Sequence, residues 1–105
     1  MDKNVHYVIT GYVYGKYWGG GEGAYNSEEL RGNDLDVVIA KAKEMLSDGS
    51  LDSGMGYEAL IGARLDVEEI TEIEVDGEIY SHSDYWPEYI GKLSEEQKEF
   101  LEEIM

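Results

Sequence analysis

Tyr57-Glu58-Ala59-Leu60-Ile61-Gly62-Ala63-Arg64-Leu65-Asp66-Val67 decides the fold. Taking every second residue from Tyr57 through Ala59, Ile61, Ala63 and Leu65 to Val67 gives one face, and Glu58, Leu60, Gly62, Arg64 and Asp66 give the other. A period of two is the signature of a β-strand. Residues 69–75 and 78–81 read as two further strands joined at Asp76-Gly77, the dipeptide that best tolerates the positive φ angles of a two-residue hairpin.

Upstream, residues 5–17 are rich in Val, Ile, Thr and Tyr and read as a strand with Tyr7, Ile9, Val13 and Tyr17 on one face. Gly11 and Gly15 fall on that face, where a glycine marks a bulge, a bend or a close approach. Gly19-Gly20-Gly21-Glu22-Gly23 is expected to be a mobile loop. A helix follows, with Asn33 as its N-cap and Asp34 and Asp36 in its first turn. Its apolar stripe is Leu35, Val38, Ile39, Ala42, Met45 and Leu46. Asp48-Gly49-Ser50 stops it, and Leu51 and Met55 are expected to tuck inward from the following loop. Downstream, residues 82–91 read as an aromatic loop holding Tyr85, Trp86, Pro87 and Tyr89. Ser94 and Gln97 form a capping box for a last helix with Leu93, Phe100, Leu101 and Ile104 on its apolar side. The expected architecture is one compact α+β domain over residues 1–105, in the order β-α-β-β-β-α. About four antiparallel strands are covered by two helices on one face.

The chain has 105 residues, too few for a two-domain enzyme, and no cysteine, which excludes disulfides, thiolate metal sites and cysteine nucleophiles. Asp and Glu number 24 against 8 Lys and Arg, a formal charge of -16. Such a balance argues against direct contact with nucleic acid or an anionic membrane, both of which are bound through Lys and Arg. It favours a basic protein partner. Nine tyrosines, two tryptophans and a single proline point to a packed fold rather than a disordered one. The absence of a long apolar run and of a basic-then-apolar start points to the cytoplasm, that of a host if the chain is phage-encoded.

Catalytic constellations are sparse. His6 lies on a strand, and His82, flanked by Ser81, Ser83 and Asp84, has no spacing that suggests a triad. The glycine run lacks the Lys-Ser/Thr of a phosphate-binding loop. Asp48, Ser50 and Asp52 have the opening spacing of a calcium loop, but Ser53 and Ala59 stand where that loop needs Gly and a bidentate Glu. No cofactor and no catalytic activity are expected.

The charge itself is the remaining signal. Residues 1–57 carry nine acids and five bases, whereas residues 58–105 carry fifteen acids and three bases. No Lys or Arg interrupts the run from Asp66 to Glu78. Carboxylates two residues apart on a strand stand about 6.6 to 6.8 Å apart, close to the span of two nucleotides at about 3.4 Å each, so a row of them can imitate phosphates. The candidate partner-binding residues are Glu68, Glu69, Glu72, Glu74, Asp76 and Glu78, with Tyr85 and Trp86 as anchors. A two-residue turn would pair Val75 with Glu78 and separate Glu78 from Glu74 by a face. Glu95, Glu96, Glu99, Glu102 and Glu103 add a second acidic surface. A charge of this size exceeds the roughly 2 to 8 that solubility requires.

The strand at Val5-His6-Tyr7-Val8, its glycine-containing second half reaching Trp18, and the helix opened by Asp34-Leu35-Asp36 and continued through Ile39-Ala40 to Met45-Leu46 resemble the N-terminal part of the ArdA antirestriction proteins. That likeness spans about forty residues, and the chain is too short for the multi-domain curved rod of that family. In size, acidity and lack of catalytic motifs the chain is similar to small phage proteins that inhibit restriction or CRISPR nucleases. The resemblance implies a nucleic-acid-binding protein as target, blocked by acidic mimicry. The alternative is a small oligomeric assembly protein that pairs through exposed aromatic strand faces, with Tyr12 and Tyr14 at the interface.

Overall fold

The computed structural model describes residues 2–51 and 57–103. Its elements run β1 (Asp2–Tyr17), β2 (Glu22–Gly32), α1 (Leu35–Asp48), β3 (Tyr57–Val75), β4 (Glu78–Gly91) and α2 (Glu95–Glu103). The four strands make one curled antiparallel sheet in the order β2-β1-β3-β4, giving an α+β fold.

The element order is therefore β-β-α-β-β-α, and three local readings change. The glycine run is not a free loop but the turn of the β1–β2 hairpin, closed by hydrogen bonds from Tyr17 N to Gly21 O (3.0 Å) and from Gly20 N to Tyr17 O (3.2 Å). Gly19, Gly20 and Gly21 all take positive φ there. Residues 57–67 and 69–75 are not two strands but one of 19 residues, because apolar alternation continues through Val67 without a turn residue. Residues 82–91 are strand rather than loop, since β4 pairs with β3 without interruption from Glu78 to Gly91. Pro87 is accommodated because β4 is an edge strand.

The Asp76-Gly77 turn is as expected: Val75 pairs with Glu78, and φ is 52° at Asp76 and 82° at Gly77, the two positive angles of a type I′ turn. Gly11 and Gly15 sit at register shifts of β1, the first against β2 and the second against β3. At the second shift Gly15 pairs with Leu60 while Tyr14 pairs with Gly62, so the face changes by one residue and Leu60, not Ile61, joins the core. Residues 63–67 keep the predicted phase, and a further shift at Lys16/Tyr17 returns Tyr57 to the core face, so the departure is confined to residues 59–61.

The core lies between α1 and one face of the sheet. Ile9, Val13, Ala63, Leu65 and Val67 meet Val38, Ala42 and Met45 of α1, with Leu51, Tyr57 and Ile90 closing its ends. Asp34 rather than Asn33 caps α1. Its backbone is extended (φ -123°), and its Oδ1 accepts from Asp36 N at 3.1 Å and Val37 N at 3.4 Å. A carboxylate there also meets the positive end of the helix dipole. Gly49, at φ 83°, terminates the helix as expected.

The helices do not share a face. Tyr12 and Tyr14 alternate with Ile9 and Val13 and point away from α1. Tyr14 is covered there by Phe100 of α2, with ring centroids 5.7 Å apart at 79°. Arg64, on the same face, donates to the Leu101 carbonyl, and Leu101 is fully buried. The predicted capping box is present: Gln97 Oε1 accepts from Ser94 N at 2.9 Å, and Ser94 Oγ accepts from Gln97 N at 3.2 Å. Met55 and Ile104 lie outside the described residues.

Neither helix reaches the far end of β3 and β4. The chain measures 59 × 25 × 19 Å with a radius of gyration of 16.0 Å, against about 13 Å for a compact chain of this length. Beyond the pair Tyr7–Gly32, β2 has ended, and β1, β3 and β4 continue as a three-stranded arm. No residue from 68 to 89 is buried.

Candidate functional site

The arm carries the run of acids. Register fixes their sides: Glu68, Glu72 and Glu74 pair with Tyr85, Ser81 and Ile79 on the face that α2 uses lower down, whereas Glu69 and Glu78 lie on the face of α1. Asp76 sits in the turn. The sequence-predicted acids are thus brought onto the arm and its root, where Glu68 and Glu69 pair with Val8 and Tyr7, but not into one row. Three of them, Glu68, Glu72 and Glu74, make the row, spaced about 13 and 7 Å along β3 at about 3.3 to 3.4 Å per residue.

The two aromatic candidates part company for the same reason. Tyr85 stands beside Glu68 and is 72 % exposed. Trp86 faces the other way, pairs with Val67 and packs against the core, with its Nε1 donating to Glu88 Oε1 at 3.0 Å. It serves the core first. Tyr14, proposed as an exposed assembly contact, is buried beneath Phe100, and Tyr12 is half-buried.

A feature missed in the sequence is the pairing of tyrosines with carboxylates. Tyr7 donates to Glu69 at 3.1 Å, Tyr14 to Glu22 at 2.9 Å, Tyr80 to Glu78 at 2.7 Å and Tyr89 to Glu102 at 3.0 Å, while Tyr85 hydrogen-bonds Glu68. All five phenols are held above their ordinary value near 10. In Tyr7, Tyr80 and Tyr85 the carboxylate hydrogen bond is the main cause. In Tyr14 and Tyr89 burial comes first. The available signal was the even-numbered series Glu78, Tyr80, His82, Asp84, Trp86 and Glu88, whose neighbours two apart interact along β4 only if that segment is a strand.

On the face of Glu68 a groove of about 660 Å³ runs past Val8, Thr10, Tyr12, Arg31, Arg64 and Tyr85. The chain's two arginines both lie here, and both are engaged. Arg31 is 2.6 Å from Glu29, and Arg64 is 3.0 Å from Asp66 while reaching the Leu101 carbonyl at 3.3 Å. In the arm beyond Tyr7, Lys3 is the one Lys or Arg among described residues, and it lies on the face opposite Glu72 and Glu74. Glu72 and Glu74 therefore have no Lys or Arg on their own face of the arm, whereas Glu68, at its root, shares its face with both arginines, each already engaged by another carboxylate.

The remaining candidates do not build a catalytic centre from their neighbours. His82 is exposed, with Nε2 3.3 Å from Asp84 Oδ1, but strand alternation turns Ser81 and Ser83 to the opposite face. His6 is a half-buried strand residue. Asp48 accepts from Ser50 N at 2.8 Å and from Ser50 Oγ at 2.5 Å, a local turn that also holds its carboxyl below the ordinary value. Asp52 and Ser53 of the calcium-like spacing lie outside the described residues. Among the described residues no three His, Asp or Glu side chains converge as a metal site requires, and no helix is long and apolar enough to cross a membrane. No family model matches this chain, and no curated protein or solved structure matches it either.

Proposed function

We propose that this chain is a small acidic binding protein that occupies the Lys- and Arg-rich surface of a nucleic-acid-binding protein in place of nucleic-acid phosphates, as phage-type inhibitors do. The observation that carries this reading is the row formed by Glu72 and Glu74 on one face of the arm and by Glu68 on the same face at its root, none of them buried. Exposed ion pairs contribute little singly, so the mechanism depends on several carboxylates held in a fixed row. The β-ladder holds Glu72 and Glu74 about 7 Å apart, farther than the roughly 5 to 6 Å of helical three- and four-residue steps, so their like-charge cost is smaller than on a helix. Tyr85, exposed beside Glu68, supplies an amphipathic contact at low entropy cost. Glu69, Glu78 and Asp76 extend the acidic field to the other face and the tip, which steers a basic partner from a distance of about 8 to 10 Å.

Competition decides it. The protein should displace nucleic acid from a basic nuclease or other nucleic-acid-binding enzyme at 0.05 M salt, at least about tenfold more weakly at 0.5 M salt. The triple variant Glu68→Gln, Glu72→Gln, Glu74→Gln should fail to compete. Equal competition by the variant, or salt-independent competition, ends this reading.

The assembly alternative keeps one supporting observation, the exposure of Ile79 (68 %), Tyr80 (57 %) and Tyr85 (72 %) on the arm. It would use these residues in place of Tyr12 and Tyr14. A concentration-dependent rise in sedimentation mass, abolished by Ile79→Ser, would favour it over mimicry.

A further inference from the structure

We infer that the outer edge of β4 over residues 79–85 receives an extended segment of a partner protein as a fifth strand, one in which Lys or Arg alternates with apolar residues; this rests on the basic-partner reading above and names how that partner is gripped.

Which backbone groups are free follows from two observations. Lys92 N donates to the Ile61 carbonyl at 3.1 Å beyond the pair Gly62–Gly91. In an antiparallel ladder that makes Gly62–Gly91 a non-bonded pair and the even-numbered residues of β4 those that bond to β3. The two-residue turn closing on Val75–Glu78 requires the same parity. Ile79, Ser81, Ser83 and Tyr85 therefore direct both N–H and C=O away from the sheet. Pro87, which has no N–H, falls on the same outward parity, so its ring interrupts no bond to β3 and ends the open edge at Tyr85.

Several devices that normally blunt an edge are lacking along this stretch: there is no lysine, proline or bulge between Glu78 and Trp86, and no helix of the described residues lies over it, while the charges it does carry, Glu78 and Asp84, repel acidic strands and admit basic ones. Side-chain chemistry selects the occupant. On one face an added strand would meet Ile79, Ser81, Ser83 and Tyr85, of which Ile79 and Tyr85 are 68 % and 72 % exposed. On the other it would meet Glu78, Tyr80, His82 and Asp84, with Tyr80 engaged by Glu78 and His82 beside Asp84. The matching strand is apolar towards Ile79 and Tyr85 and cationic towards Glu78 and Asp84. A second copy of β4 fits poorly, since the two edges would bring together molecules each of charge -16, and antiparallel pairing centred on Ser81 sets Glu78 against Asp84.

The probe is a capped peptide of sequence Lys-Val-Lys-Val-Lys-Val-Lys-Val, compared with its block isomer Lys-Lys-Lys-Lys-Val-Val-Val-Val, against the whole chain at low salt. The alternating peptide should bind about tenfold more tightly, the worth of one or two additional net hydrogen bonds. It should slow hydrogen exchange at the amides of Ile79, Ser81, Ser83 and Tyr85. The double variant Ser81→Pro, Ser83→Pro removes two outward donors and leaves the β3 ladder its bonds, so it should lose that advantage. The double alanine variant should keep it. Equal binding of the two isomers with no protection of the edge overturns strand addition while leaving the basic-partner reading standing. Binding of both isomers that ignores Glu68→Gln, Glu72→Gln, Glu74→Gln overturns the basic-partner reading on its own account. If the proline variant does not fold, exchange in the unaltered chain decides. Protection of the same amides that grows with protein concentration and without peptide assigns the edge to a second copy and overturns the proposal.

Discussion

The lower and outer halves of β3 are the same strand in one hydrogen-bonded ladder, yet they obey different rules. From Ala63 to Val67 every inward residue is 1 % exposed or less and lies beneath α1. From Glu69 to Val75 the same parity yields Glu69, Thr71, Ile73 and Val75, none of them buried. The body makes its stability by removing apolar surface from water. The arm has little such surface to remove and is held by backbone pairing to β1 and β4 and by its attachment to the body. A strand can thus project charge some distance from the core that stabilises it, and the projected part is free to be chosen for contact rather than for packing.

The sharpest way to break this division is to truncate one inward residue in each half. Leu65→Ala, at a site with no exposure, should cost about 2 to 5 kcal/mol in chemical denaturation. Ile73→Ala, on the same face of the same strand, should cost under about 1 kcal/mol. Comparable losses at the two positions would mean the arm has a core of its own. The glycines give a second contrast. Gly91 and Gly77 both hold left-handed φ, at 85° and 82°, but a Cβ on Gly91 would stand 2.5 Å from the Ile61 carbonyl oxygen, whereas one on Gly77 meets open space. Gly91→Ala in the body should therefore cost about 2 kcal/mol or more, and Gly77→Ala at the arm's tip about 1 kcal/mol. A larger loss of melting temperature for Gly77→Ala would reverse the assignment.

The sequence revealed the body better than the arm, for physical reasons. Burial writes itself as apolar period. Thus Leu35, Val38, Ala42 and Met45 mark α1, Ala63, Leu65 and Val67 mark β3, and Asp76-Gly77 and Ser94–Gln97 announce their own backbone geometry. Where a strand is exposed on both sides the period is written in polar residues, and His82, Asp84, Trp86 and Glu88 look like a loop until their i, i+2 contacts are seen. The second strand of the first hairpin was lost for want of the same signal, since residues 24–32 hold few apolar side chains. The acids were legible as a run, but their split between two faces depended on register, which a two-residue turn sets and a one-residue slip would invert.

Titration of the tyrosines separates the halves on a smaller scale. Tyr14 in the body is raised chiefly by burial, and Tyr80 in the arm chiefly by the Glu78 carboxylate. Glu22→Ala should leave Tyr14 titrating above its ordinary value near 10, whereas Glu78→Ala should return Tyr80 towards it, read by tyrosinate absorbance. Because these folded-state values are raised, the neutral phenols stabilise the fold fully below pH near 10, and that contribution is lost as pH climbs through the higher folded value. Stability should thus fall on the alkaline side, with Tyr14 contributing to the fall after removal of Glu22 and Tyr80 no longer contributing after removal of Glu78.

The smallest change in stability should accompany the largest change in binding. Glu72 and Glu74 lie on one face two residues apart, with no Lys or Arg of β1 or β4 opposite them, and neither packs in the core. Changing both to Gln removes like-charge repulsion and no buried contact, so denaturation midpoints should move by no more than about 0.5 kcal/mol, in the stabilising direction if at all. Affinity for a basic partner, measured at 0.05 M salt, should fall at least about tenfold, and the salt dependence of what remains should flatten because fewer ion pairs are left to screen. A variant that binds as before but melts several degrees lower would place these glutamates among the supports of the sheet. The opposite pattern, a stable chain with a weakened and less salt-sensitive grip, is what a surface charged for contact must show, since its carboxylates act on the partner and not on the packing of the sheet.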